Sequence, residues 1–154
     1  MSPSQAALSK RAKAPRLGLN EDERRALRAA RLTMGSIADL TGAALHRELD
    51  GSVARKRCDE IAALADFQRL GSVGLEMARD FVQLGFRSVS ELPGQDPREL
   101  CARLSKITRS HQDPCVEDTF RCAIAQAENP ELPARLRDWW QWTSVRGKPM
   151  NARP

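Results

Sequence analysis

The sequence predicts an all-α fold, and three observations predict it. Hydrophobic residues make up 41% of the 154, aromatics only 5%, and Tyr is absent; Leu and Ala carry the apolar content, which favours helix over sheet. Helix starts recur along the chain: Asn20 before Glu23, Ser88 before Glu91, Asp96-Pro97 before Glu99, Asp113-Pro114 before Glu117. No segment alternates apolar and polar residues as a half-buried strand does. The length suits one core with arms. No apolar run approaches the roughly 18–20 residues of a membrane span, which argues against a membrane partner.

Each element follows from local signals. Asn20 caps a helix running through Leu27 and Ala30 to about Leu32, with Arg24, Arg25, Arg28 and Arg31 as a basic stripe. Ser36 to about Leu49 reads as one helix carrying Ile37, Leu40, Ala44 and Leu45 on one side, ended by Asp50-Gly51. A third helical stretch, Ser52 to Leu70, buries Val53, Ile61, Leu64, Ala65 and Phe67. Leu70-Gly71-Ser72-Val73-Gly74 is a tight connection, followed by a helix from Leu75 to Leu84 that Gly85 closes. Ser88–Leu92 is a one-turn helix and Pro93-Gly94 a turn. The Asp96-Pro97 helix carries Leu100, Leu104 and Ile107; the Asp113-Pro114 helix carries Val116, Phe120, Ala123, Ile124 and Ala127. The last element runs through Leu132, Leu136 and the tryptophans. At α-helical spacing Trp139 and Trp140 share the side of Leu136 and seal the core, while Trp142 points outward.

Charge collects at the ends. The net charge is +5 overall; residues 1–31 carry +5, residues 32–60 carry −1, residues 61–142 carry −2 and residues 143–154 carry +3. Residues 1–19 read as a disordered basic arm with Lys10, Arg11, Lys13 and Arg16, able to attract phosphate without a fold. The first twenty residues lack the apolar block of a secretory signal, although their base-rich, acid-poor composition also suits a transit peptide. Residues 143–154 read as a disordered tail.

Cys58, Cys101, Cys115 and Cys122 form no C-x-x-C pair, which points to reduced thiols in a cytoplasmic setting. Cys101, His111, Cys115 and Cys122 match no zinc spacing, so no metal and no cofactor is expected. Cys115 at a helix start is a candidate for a lowered thiol pKa, opposed by Glu117 and Asp118. No nucleophile–base set, paired-carboxylate site or phosphate-binding P-loop is present, so no enzyme is expected.

The run FQRLGSVGLEMARDFVQLGFRSVSEL from Phe67 to Leu92 resembles a helix-hairpin-helix motif. With GQDPRELCARLSKIT, then QDPCVEDTFRCAIAQA, then the tryptophans, the stretch from about 60 to 142 resembles the pathogenicity-locus family of bacterial, mitomycin-resistance-like helix-hairpin-helix proteins. The resemblance implies a compact helical domain over 60–142 built around that motif and DNA association; residues 20–59, outside the resemblance, read from their helix signals as an N-terminal helical extension. Two positions depart from the pattern. A typical hairpin reads Pro-Gly-hydrophobic-Gly where this chain has Gly71, Ser72, Val73 and Gly74, and Arg109 stands where the family pattern has a Gly.

A tight turn feeding a helix directs backbone N–H groups outward at the positive end of the helix dipole, which suits a phosphate oxygen and reads no base. The expected DNA-binding residues are therefore Gly71, Ser72, Val73, Gly74 and Leu75, with Arg69 and Arg79 beside them and the arm residues Lys10, Arg11, Lys13 and Arg16 adding attraction. The expected function is weak, sequence-independent binding of double-stranded DNA by a non-enzymatic module. The alternative is a protein–protein interaction adaptor whose hairpin is only structural.

Overall fold

The computed structural model describes residues 13–154 and is all-helical: seven α-helices and three 3-10 helices, with no strand among the described residues. Helix α1 (Glu21–Ala29) begins with the expected capping box: Asn20 Oδ1 accepts from the Glu23 amide at 2.8 Å, and Glu23 Oε2 from the Asn20 amide at 3.0 Å. The single helix expected from Ser36 to Leu49 is two, α2 (Met34–Ile37) and α3 (Gly42–Glu48). Thr33 and Thr41 each cap a new start, so the turn at Asp39-Leu40 overrides the apolar periodicity.

Helices α4 (Arg55–Phe67) and α5 (Leu75–Gln83) form an antiparallel hairpin pair. Gly42 lets α3 approach α4 closely: a Cβ there would lie 2.7 Å from the Asp59 Cα. Gly85 ends α5 at φ +96°, as its position predicts, and the 3-10 helix Val89–Glu91 follows with the expected Ser88/Glu91 box. Helices α6 (Pro97–Thr108) and α7 (Pro114–Glu128) start at Asp96 and Asp113, each with Pro in the first turn.

Two apolar clusters share α7. The larger is organised by stacked phenylalanines from α4, α5 and α7: the Phe67–Phe81 ring centroids are 4.8 Å apart and Phe81–Phe120 5.2 Å. The smaller joins Cys122 and Ala125 of α7 to Leu132, Leu136, Trp142 and Val145. Nine consecutive α7 residues, Asp118 to Gln126, are buried, so this helix has no solvent face along its middle.

Three expectations are corrected. Trp142, expected outside, is fully buried and its indole donates to the Leu136 carbonyl at 2.8 Å, whereas Trp140 is 56% exposed. The segment winds as 3-10 helices, Ala134–Arg137 and Trp139–Val145, so the inward period is three: Leu136, Trp142 and Val145 are buried and Trp139 half-buried. The tail after Thr143 is ordered. Arg146 Nε donates to Asp118 Oδ1 at 2.9 Å, and Arg121 of α7 donates to the carbonyls of Lys148 at 2.6 Å and Pro149 at 3.1 Å. The end of the basic arm is also docked, because Leu17 and Leu19 belong to the core. Lys10 and Arg11 lie outside the described residues.

Helix α6 ends on Arg109 at φ +52°, a left-handed conformation that disfavours a Cβ by roughly 1 kcal/mol. Arg109 is exposed and its side chain makes no ion pair among the described residues. Arg109→Gly is therefore expected to raise the unfolding free energy by about 0.5–1 kcal/mol, measured by urea titration.

Candidate nucleic-acid interface at the α4–α5 hairpin

The hairpin connecting α4 to α5 has an inner and an outer side. On the inner side Gly71 faces α7: the Gln126 side chain accepts from its amide at 2.8 Å and donates to its carbonyl at 2.9 Å. A Cβ at Gly71 would lie 2.8 Å from the Arg137 Cβ and carbonyl oxygen, so only glycine fits without a shift. Ser72 takes the left-handed conformation at φ +67°. Its hydroxyl donates to the Arg137 carbonyl at 2.7 Å and accepts from the Trp139 amide at 2.9 Å, which stitches the hairpin to the C-terminal 3-10 segment. Val73 is buried. Gly71, Ser72 and Val73 thus shape the loop from within; the Ser72 hydroxyl is not directed at a ligand.

The outer side is the start of α5. Gly74 is its exposed N-cap in an extended conformation, φ −96° and ψ −168°, with open space where a Cβ would stand. No side chain caps this helix, and the amides of Gly74, Leu75, Glu76 and Met77 have no hydrogen-bond partner among the described residues. They are the free donors at the positive end of the helix dipole, and Gly74 and Glu76 among them are exposed. The α6–α7 hairpin differs: the Asp113 carboxylate accepts from the Cys115 amide at 2.9 Å, so an acid already occupies that helix start.

The flanking bases divide. Arg69 is turned away, donating to the Ala38 carbonyl at 2.9 Å and to Asp39 at 3.1 Å, so it tethers α2 rather than facing the hairpin. Arg79 remains beside the site. It pairs with Glu76 at 2.9 Å and lies against Gly18, where a Cβ would meet its guanidinium. The chain from Lys13 to Leu19 passes the hairpin, because the Gln68 side chain clamps the Arg16 backbone, accepting from its amide at 2.9 Å and donating to its carbonyl at 2.7 Å. Lys13 and Arg16 are exposed on this segment, which reaches Leu75 and Arg79 of α5 at Gly18. In the basic stripe of α1, Arg24 and Arg25 pair with Glu21 and Asp22 of the same helix.

Acidity at the site is moderated. Glu76 faces Arg79, and burial, helped by the Glu76 charge, pushes the Asp80 carboxyl up to about 6. The thiols are all held protonated. Burial pushes Cys101 and Cys122 up to about 12. Cys115, a candidate for a lowered pKa opposed by its acidic neighbours, is shifted upward, chiefly by hydrogen bonding to Asp113, the same acid that answers the helix dipole. The described residues bring no three His, Cys, Asp or Glu side chains together as a metal site.

Sequence reasoning located the loop but missed Gln126 and the Arg137 backbone. A glutamine in the apolar stretch of α7 was the one visible signal, since a buried amide needs partners.

An all-helical unit with a glycine hairpin laid on a buried helix is the class of protein that this geometry defines. Residues 60–148 match the family described as Pathogenicity locus (Cdd1), and the chain belongs to that family. It is 39% identical over 82 residues to the mitomycin resistance protein McrB of Streptomyces lavendulae, covering 53% of this chain and 74% of the relative. No solved structure matches. No helix among the described residues is long and apolar enough to cross a membrane.

Two outcomes are expected. Ser72→Ala keeps the left-handed backbone and strands the Trp139 amide and Arg137 carbonyl, costing about 2 kcal/mol; Ser72→Gly relieves that backbone and costs about 1 kcal/mol, both read by thermal melting. The raised Asp80 pKa favours the folded state below the usual 3.8, and that contribution is lost as pH rises through about 6. Asp80→Asn is therefore expected to stabilise the protein above that pH, by about 1 kcal/mol after allowing for solvent screening, with the difference shrinking toward pH 4 in urea titrations.

Proposed function

We propose that this chain is a non-enzymatic, sequence-independent binder of double-stranded DNA, using the α4–α5 turn as a helix-hairpin-helix phosphate contact. The observation that carries this reading is the uncapped, glycine-led start of α5 with the docked basic segment beside it. A phosphate oxygen placed there would accept from the amides following Gly74, and no Cβ would stand in its way. Lys13, Arg16 and Arg79 would supply attraction from the flank, and Lys10 and Arg11 would extend it. Arg69 has no part in this contact. One hairpin with a few bases predicts weak binding, micromolar or weaker, with strong salt dependence. From the name of the Streptomyces relative we carry over only a resistance-related role.

The adaptor reading is favoured by one observation, the internal pairing of the Gly71 backbone and the Ser72 hydroxyl, which a purely structural hairpin also needs. Gly74→Asp separates the two. The position has room and an ordinary φ, and Asp caps helices well, so the fold is kept or slightly strengthened. The new carboxylate occupies the amides and repels phosphate, so duplex affinity is expected to fall by at least about tenfold in fluorescence anisotropy. Deleting residues 1–12 spares Leu17 and Leu19 and removes Lys10 and Arg11; the log–log salt slope should become shallower by up to about 2. Unchanged duplex affinity in a folded Gly74→Asp protein gives the function to the adaptor reading.

A further inference from the structure

Only two large apolar side chains are substantially exposed among the described residues, Ile107 on α6 and Trp140. Trp140 is 56% exposed, and its ring stands edge-on to Trp139 with centroids 6.0 Å apart and planes at 85°. The Trp139 amide is the one held by the Ser72 hydroxyl at 2.9 Å, two residues before Gly74. Along that bonded path the Trp140 ring is at most about 20 Å from Gly74, less than one duplex turn of about 34 Å. A nucleic acid whose phosphate sat at Gly74 would pass within reach of this ring.

We infer that Trp140 is a stacking platform for an unpaired nucleobase, so that the preferred substrate is duplex DNA interrupted by a short single-stranded gap. The inference rests on the DNA reading proposed above and names the substrate class for the same site. The surroundings of Trp140 select the occupant. Arg135, Thr143 and Ser144, close in sequence, are exposed and polar, Trp139 and Gln141 are half-buried, and no other large apolar side chain of this segment is substantially exposed. A protein partner typically covers about 800 Å² on each side with several apolar anchors, whereas a base is a flat π-system matched to one indole. Exposed Arg135 on the adjoining 3-10 turn suits a phosphodiester strand. In an intact duplex the bases are stacked on each other and cannot reach a side chain; at a gap they can.

The test compares two labelled probes by fluorescence anisotropy on the full chain: an intact duplex, and the same duplex carrying a short single-stranded gap. The gapped probe is expected to bind about tenfold more tightly and to quench tryptophan emission. Trp140→Ala should bring the gapped probe to the affinity of the intact one, leave intact-duplex binding unchanged and abolish the quench. Trp140→Phe should keep part of the preference, and thermal melting of both variants reads out folding. Equal affinity of the two probes for the unsubstituted chain, or a gap preference that survives in Trp140→Ala, overturns the inference while duplex binding stands. Failure of both probes to bind overturns the DNA reading with it.

Discussion

The burial of α7 on every side is the constraint from which the rest of the molecule follows. A buried polar group without a partner costs several kcal/mol, and this helix buries Asp118, Thr119, Arg121 and Gln126 among apolar residues. Thr119 bonds back to the Cys115 carbonyl within the helix. The other three reach segments far away in sequence. Asp118 holds Arg146 and Thr143, Arg121 takes two tail carbonyls, and Gln126 takes both backbone groups of Gly71. The placement of the hairpin and the ordering of the tail are thus one polar satisfaction problem, solved from the same helix.

That solution divides the hairpin. On the side turned toward α7 the Gly71 backbone and the Ser72 hydroxyl are bonded within the protein, and the residue turned away, Gly74, is exposed at the helix start. Local charge follows the same division. Arg69 is drawn to the carbonyl end of α2, while Lys13 and Arg16 are brought in by a glutamine clamp on a segment distant in sequence. Of the residues expected to meet phosphate, Gly74, Leu75 and Arg79 belong to α5 and its start, Lys13 and Arg16 are exposed on the segment clamped by Gln68, and the Ser72 hydroxyl and Arg69 are bonded within the protein.

What was legible in the sequence was local. Side-chain caps at Asn20, Asp96 and Asp113 and the closing Gly85 mark helix ends through bonds between near neighbours, and these stand where the residues indicate. The apolar hairpin flanks and the phenylalanine core were readable from helical spacing for the same reason. Trp140 and Trp142 were misassigned because the choice between 3.0 and 3.6 residues per turn is made by packing against α7, not by the segment itself. Order in the tail and in residues 13–19 was invisible because each depends on a partner tens of residues away: Asp118 and Arg121 for the tail, Gln68 and the α4–α5 core for the arm. The split of the expected 36–49 helix was written in Thr41, a cap hidden within an apolar periodicity.

The pairing of Arg121 with the carbonyls of Lys148 and Pro149 ties the packed helices to the tail beyond the last 3-10 helix. The Arg121 side chain is fully buried, and among the described residues its Nε has no acceptor and those two carbonyls are the acceptors of the guanidinium. The segment that matches the family stops at residue 148, one short of the second carbonyl. Trimmed to that segment, the chain would lose residues 55–59 of α4 and the Pro149 carbonyl, and would leave a cation partly unpaired in its interior. The evolutionary module and the physical module therefore have different edges, and the physical one is longer at both ends, because Leu17 and Leu19 close the opposite side of the core.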